Sequence, residues 1–129
     1  MPAGAIRTYP KRPKGFFASA HLGFLRILLL GLSYKKNIGD ARESPAVRVA
    51  KLLAAMGADV RGADPHTVES TPVDRVTRRV EVTPEELASA VVVVLLTDHD
   101  KFDFDEIIEH ARLILDCRHR LRGPQVEYL

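Results

Sequence analysis

Apolar residues fall along this chain in short blocks separated by polar stretches, and the blocks differ in period. Leu25 to Leu32 reads L-R-I-L-L-L-G-L, near-continuous apolar sequence that suits a strand covered on both faces. Ser33 to Glu43 is polar and holds Lys35, Lys36, Asp40, Arg42 and Glu43, so it reads as a long functional loop. Ser44 and Pro45 then supply an N-cap and a first-turn proline, and Ala46, Val49, Ala50, Leu53 and Met56 recur at helical spacing until Gly57. Ala58 to Ala63 reads as a short strand stopped by Asp64-Pro65, whereas Val68 to Arg79 is polar and ambiguous. Val80 to Val82 reads as another short strand, and Thr83 and Glu86 have the spacing of a capping box around Pro84, opening a helix that runs to Ala90. Val91 to Leu96, with four consecutive valines, is a buried strand ending at Thr97-Asp98-His99. Phe104 to Arg112 has helical period, and Leu113 to Leu115 forms a last strand ending at Asp116-Cys117-Arg118.

Strands alternating with helices predict βαβ units, and hence a single α/β domain, Rossmann-like, with a doubly wound parallel sheet. Ligands of such sheets bind outside the carboxyl ends of the strands, near the point where strand order reverses. That rule selects three loops: Ser33 to Glu43, Thr97 to Phe102, and Cys117 to Arg120.

Composition narrows the function classes. With 129 residues, 46% hydrophobic and 28% charged, the chain has the balance of one globular domain with one core. A net charge of +2 gives no strong field for nucleic acid or an anionic membrane. Positive charge does gather before residue 24, where Arg7, Lys11, Arg12 and Lys14 stand among prolines, and residues 1–23 read as a basic flexible tail ahead of a domain over 24–129. The run from Phe24 to Leu32 is too short for a membrane span and is broken by Arg26, so a cytoplasmic location is expected. Cys117, the one cysteine, excludes an intramolecular disulfide and a CxxC metal site. Asp98, His99, Asp100 and His66 match no strong metal spacing, and His99 reads as a loop or capping histidine.

The segment Gly31-Leu-Ser-Tyr-Lys-Lys-Asn-Ile-Gly-Asp-Ala-Arg-Glu-Ser-Pro45 resembles the G-L-x-[YF]-K-x-x-x-x-D-x-R-E-S-P motif that opens the C-terminal domain of UDP-glucose and GDP-mannose type dehydrogenases. The helix to Gly57-Ala58, the Asp64-Pro65 turn, Thr97-Asp98-His99 with Phe102, and Asp116-Cys117-Arg118 follow in the same order, so the resemblance covers about residues 24 to 122. It implies that Tyr34 and Lys35 contact the diphosphate region of a UDP-sugar, with Arg118 as a second cation. It also implies that Arg42 reaches the NAD cofactor across an interdomain cleft, and that Asp40 and Glu43 hold the loop. Lysine as a point charge and arginine as a planar fork suit such a diphosphate.

Departures from the family pattern shape the expectation further. No G-x-G-x-x-G follows a strand, and Cys117 stands at the wrong place to be the family's nucleophile; at a strand end it reads as a packing thiol. The chain is therefore expected to bind a nucleotide sugar without oxidising it alone, either as half of a split dehydrogenase whose NAD domain and catalytic cysteine sit on a separately encoded partner, or as an isolated fragment of such an enzyme. His119 stands where the family commonly has asparagine or arginine. Two alternatives stay open at this point: a remnant that folds without binding, and a receiver-like signalling domain using Asp64 and Thr97.

Overall fold

The computed structural model describes residues 25–33, 35–36, 44–67 and 72–129. The basic segment 1–23, Tyr34, Asp40, Arg42, Glu43 and residues 68–71 lie outside the described residues. Strand β1 is Arg26–Leu30, helix α1 Pro45–Ala55, β2 Asp59–Ala63, β3 Arg78–Arg79, α2 Pro84–Ser89, β4 Val92–Leu95, α3 Phe104–His110, β5 Ile114–Asp116 and β6 Val126–Tyr128. A 3-10 turn over Pro72–Arg75 precedes β3. The six strands form one sheet in the order β3-β2-β1-β4-β5-β6, with every pairing parallel.

Burial on both faces explains the near-continuous apolar strands. Along β1, Ile27 and Leu29 join one cluster with Ala46 and Ala50 of α1, Val60, Val73 and Val94. Leu28 and Leu30 point the other way into a second cluster with Leu87 of α2, Ile107 of α3, Val93, Leu95 and Ile114. A strand between two layers of helix has no polar face to display, so the period-2 signal disappears.

Local signals place the helices. Ser44 Oγ accepts the Ala46 N–H at 3.1 Å and Pro45 takes the first turn, as expected of α1. Gly57 has φ of +87°, its N–H donates to Ala54 O at 2.9 Å, and Ala58 N–H donates to Leu53 O at 3.1 Å, a Schellman close. Thr83 Oγ1 accepts the Glu86 N–H, but Glu86 does not return to cap Thr83: its carboxylate pairs at 2.7 Å with Arg61 of β2.

Two strands differ from expectation. The third strand is Arg78–Arg79 rather than Val80 to Val82; Val80 and Val82 instead pack beside the second apolar cluster. Arg79 is held by Asp74 at 3.1 Å and by the Thr67 carbonyl at 2.9 Å, ties that a propensity reading of two arginines does not supply. The edge strand β6 has no counterpart in the sequence reading. Its Val126 joins the apolar cluster, while its ladder to β5 and the Tyr128 hydroxyl on the Leu121 carbonyl hold it there.

Candidate functional site

Strand order reverses between β1 and β4, the neighbours at the centre of the sheet, so their carboxyl ends mark the crevice of a doubly wound fold. β1 leaves the sheet through Gly31, which has φ of +88°. A methyl group there would lie 2.6 Å from Thr97 N and 2.7 Å from Thr97 Cβ, so only glycine lets the β1 and β4 exits approach this closely.

Beyond Gly31 the chain is held by one carboxylate. Asp64, directly after β2, accepts the Leu32 N–H at 2.6 Å and the Ser33 N–H at 3.1 Å on Oδ2. Its Oδ1 accepts the His66 and Thr67 N–H groups at 2.7 and 3.0 Å. His99 Nε2 stands 2.8 Å from Oδ2 and 2.9 Å from Ser33 Oγ. The side chains of Asp64 and His99 are both fully buried.

Burial opposes charge on each member of this pair. For Asp64 it raises the pKa, but the His66 and Leu32 N–H groups and His99 outweigh it and hold the carboxyl below its ordinary value of 3.8. For His99 burial prevails over the attraction of Asp64, and the imidazole stays below 6.5. An ionised Asp64 can only accept, so the shared proton sits on His99 Nε2 as a neutral imidazole. The Asp64-Pro65 turn and a loop histidine were legible in sequence; their meeting across 35 positions was not.

A second buried carboxylate organises the β5 exit. Asp116 accepts the Arg118 N–H at 2.8 Å on Oδ1, and the Arg120 and Leu121 N–H groups at 2.7 Å each on Oδ2. This folds 117–121 into a tight turn in which His119 has φ of +55°. Arg118 Nε donates to the Leu96 carbonyl at 2.8 Å, laying the guanidinium at the end of β4. Cys117 packs against the α1-side apolar cluster, and burial, helped by Asp116 and opposed by Arg118, pushes its thiol pKa up. A raised pKa leaves less thiolate, in keeping with a packing thiol.

The cations at this edge divide into two sets. Lys36 pairs with Asp100 at 3.2 Å and Asp98 at 3.9 Å. Arg120 pairs with Asp98 at 3.4 Å and Asp100 at 3.7 Å while lying 4.4 Å over the Phe104 ring. Lys35 and Arg118 are exposed and meet no carboxylate among the described residues. Lys35 follows β1 and Arg118 follows β5, the strands on either side of β4, so at ordinary strand spacing their backbones emerge about 10 Å apart. A cleft of about 750 Å³ opens beyond Asp64, with Thr67, Val80, Val82 and Phe102 in its wall, and neither Lys35 nor Arg118 lines it. Lys36 and Arg120 are likewise absent from its wall.

A dinucleotide does not fit this crevice in the Rossmann manner. The glycine fingerprint after β1 is absent from the sequence, and Ser44 caps α1 well beyond a tight strand-to-helix turn. Asp64, at the end of β2 where such folds present a ribose-binding acid, is turned inward and occupied by four backbone N–H groups and His99. The receiver-like alternative is also corrected: that fold runs 2-1-3-4-5, whereas here β2 and β3 lie together on one side of β1, and the Asp64 carboxylate is buried.

Comparison with known proteins places the domain as a whole. A family model described as "UDP-glucose/GDP-mannose dehydrogenase family, UDP binding domain" matches residues 28–123. The UDP-N-acetyl-D-mannosamine dehydrogenase of Methanococcus maripaludis is 36% identical over 88 residues, covering 64% of this chain and 19% of that protein. The UDP-glucose 6-dehydrogenase of Rhizobium meliloti is 31% identical over 109 residues, 78% of this chain and 24% of that one. A solved UDP-glucose dehydrogenase from Pyrobaculum islandicum superposes with a TM-score of 0.64 at 27% identity, covering 84% of this chain and 25% of that one. The chain thus spans about a fifth to a quarter of the length of these relatives.

Proposed function

The chain belongs to the UDP-glucose/GDP-mannose dehydrogenase family, and on that premise we propose that its carboxyl edge grips the diphosphate of a UDP-sugar through Lys35 and Arg118. The observation that carries this reading is the division of cations. Lys36 and Arg120 are neutralised by Asp98 and Asp100, while Lys35 and the terminal nitrogens of Arg118 face the strand ends without a described partner. A diphosphate between them would receive a point charge from one side and a planar fork from the other. Tyr34 and Arg42, outside the described residues, extend this reading: Tyr34 to the same diphosphate, Arg42 toward the NAD bound by another part of the enzyme. The relatives' names fit a nucleotide-sugar substrate.

In this reading the domain supplies substrate grip, and oxidation of the sugar alcohol with NAD belongs to parts of the family's enzymes that this domain does not provide. No helix among the described residues is long and apolar enough to cross a membrane, and a cytoplasmic setting suits a nucleotide-sugar substrate. An NMR titration of the 129-residue chain with UDP tests the site. Shifts are expected around residues 33–36, 96–99 and 117–120, with Lys35→Ala and Arg118→Ala each weakening binding roughly three- to tenfold at a partly exposed site. Absence of shifts at several millimolar UDP would favour a folded remnant that no longer binds. NADH formed from NAD and a UDP-sugar by the chain alone, and lost in Cys117→Ser, would overturn the division of labour.

A further inference from the structure

We propose that His99, clamped between Asp64 and Ser33, is a positioning residue that fixes the backbone of Lys35 for the diphosphate; the inference rests on the site reading above. His99 Nε2 shares its proton between Asp64 Oδ2 at 2.8 Å and Ser33 Oγ at 2.9 Å. The Ser33 hydroxyl in turn donates to the Lys35 carbonyl at 3.2 Å. The relay is directional: a carboxylate that only accepts, an imidazole N–H that donates twice, and a hydroxyl that accepts once and donates onward.

The rest of the segment is tied with equal economy. The Ser33 N–H goes to Asp64, and the Thr97 hydroxyl donates to the Ser33 carbonyl at 2.8 Å. Ser33 is therefore held at its N–H and carbonyl by groups from the β2 and β4 exits, and its own hydroxyl ties the Lys35 carbonyl to that anchor. The Lys35 side chain itself is exposed and has no described partner. A fixed backbone beneath a free ammonium group lowers the ordering cost of binding an anion.

An imidazole and carboxylate buried together need a reason, because apolar side chains would fill the same volume without desolvating polar atoms. His66, with its ring centroid 4.7 Å away, and Phe102, at 5.7 Å, already make the surroundings suited to a plain aromatic residue. What a phenylalanine at position 99 lacks is the N–H that reaches Ser33. Asp64 meets four backbone N–H groups without help from His99, and the bond the histidine adds toward this edge is the one to Ser33 and, through it, to Lys35.

A double-mutant cycle on UDP affinity, read at a temperature where each variant is folded, tests this. His99→Phe is expected to raise Kd about threefold or more, and in that background Lys35→Ala should cost under about twofold, since an unanchored lysine has less to lose. Arg118→Ala should keep its full effect there. Without ligand, ¹⁵N relaxation should show lower order at the Lys35 and Lys36 amides of His99→Phe, with α1 unchanged. Ser33→Ala removes only the relay hydroxyl and should reproduce both effects if His99→Phe folds poorly. Additive losses for His99→Phe with Lys35→Ala, or unchanged amide order at 35 and 36, would overturn the proposal. If the wild-type chain does not bind UDP, the diphosphate reading fails, and the ligand-free relaxation still decides whether His99 positions the segment.

Discussion

Gly31 and Asp64 carry more of this site than their sequence neighbourhoods suggest. Alanine at Gly31 would need a left-handed φ and would press into the Thr97 backbone, so Gly31→Ala should cost at least about 2 kcal/mol in a urea titration. An unchanged midpoint would show that the two strand exits separate easily. The adjacent lysines show how far single residues are legible. The long motif marks Lys35 over Lys36, and of the two it is Lys36 that pairs with Asp98 and Asp100. Lys36→Ala should therefore change UDP affinity less than twofold by calorimetry, because the acids it leaves still face Arg120. A loss equal to that of Lys35→Ala would merge the two sets of cations. The roles of Ser33, Asp64 and His99 were not legible, since each acts through partners more than thirty positions away.

Elements with local start and stop signals were read well. Ser44-Pro45 and Gly57 bracket α1, and Thr83-Pro84 opens α2, because caps and fixed φ angles act over a few residues. Strands whose pairing depends on distant chain were read less well. β3 is two arginines at a sheet edge, and β6 is three residues carrying one buried valine. The pairing of Arg61 with Glu86 belongs to this scale, since it ties α2 to β2 with side chains only 10% and 18% exposed. Glu86→Ala should cost about 1–2 kcal/mol because it leaves a nearly buried guanidinium with Asp59, at 3.3 Å, as its remaining described carboxylate partner, whereas Arg61→Met with Glu86→Leu should cost less than the single change. Thermal or urea unfolding of the three proteins checks the order, and a milder effect from Glu86→Ala alone would contradict it.

For the whole molecule, the alternating blocks sufficed for a doubly wound α/β sheet, and the strand order β3-β2-β1-β4-β5-β6 settles which doubly wound class it is. The rule that ligands gather at the reversal of strand order points to the β1 and β4 exits, and the proposed site adds the β5 exit beside β4. The same edge makes stability depend on pH. His99 has a folded pKa below 6.5, so the unfolded chain binds that proton more readily and stability declines as pH falls below about 6.5; Asp64, held below 3.8, adds its own loss only under about pH 3.8. Melting temperature should thus fall between pH 7 and 5, with a shallower slope in His99→Gln; equal slopes would place the titrating group elsewhere. The central claim is that the unpaired cations bind a diphosphate, and it is tested most directly by calorimetry comparing UDP with uridine. UDP is expected to bind with a Kd of about 0.1–1 mM, corresponding to about 4–5.5 kcal/mol, weakening as salt rises, with no binding of uridine at the same concentrations. Equal affinity for uridine and UDP, or none for either at several millimolar, would contradict the account.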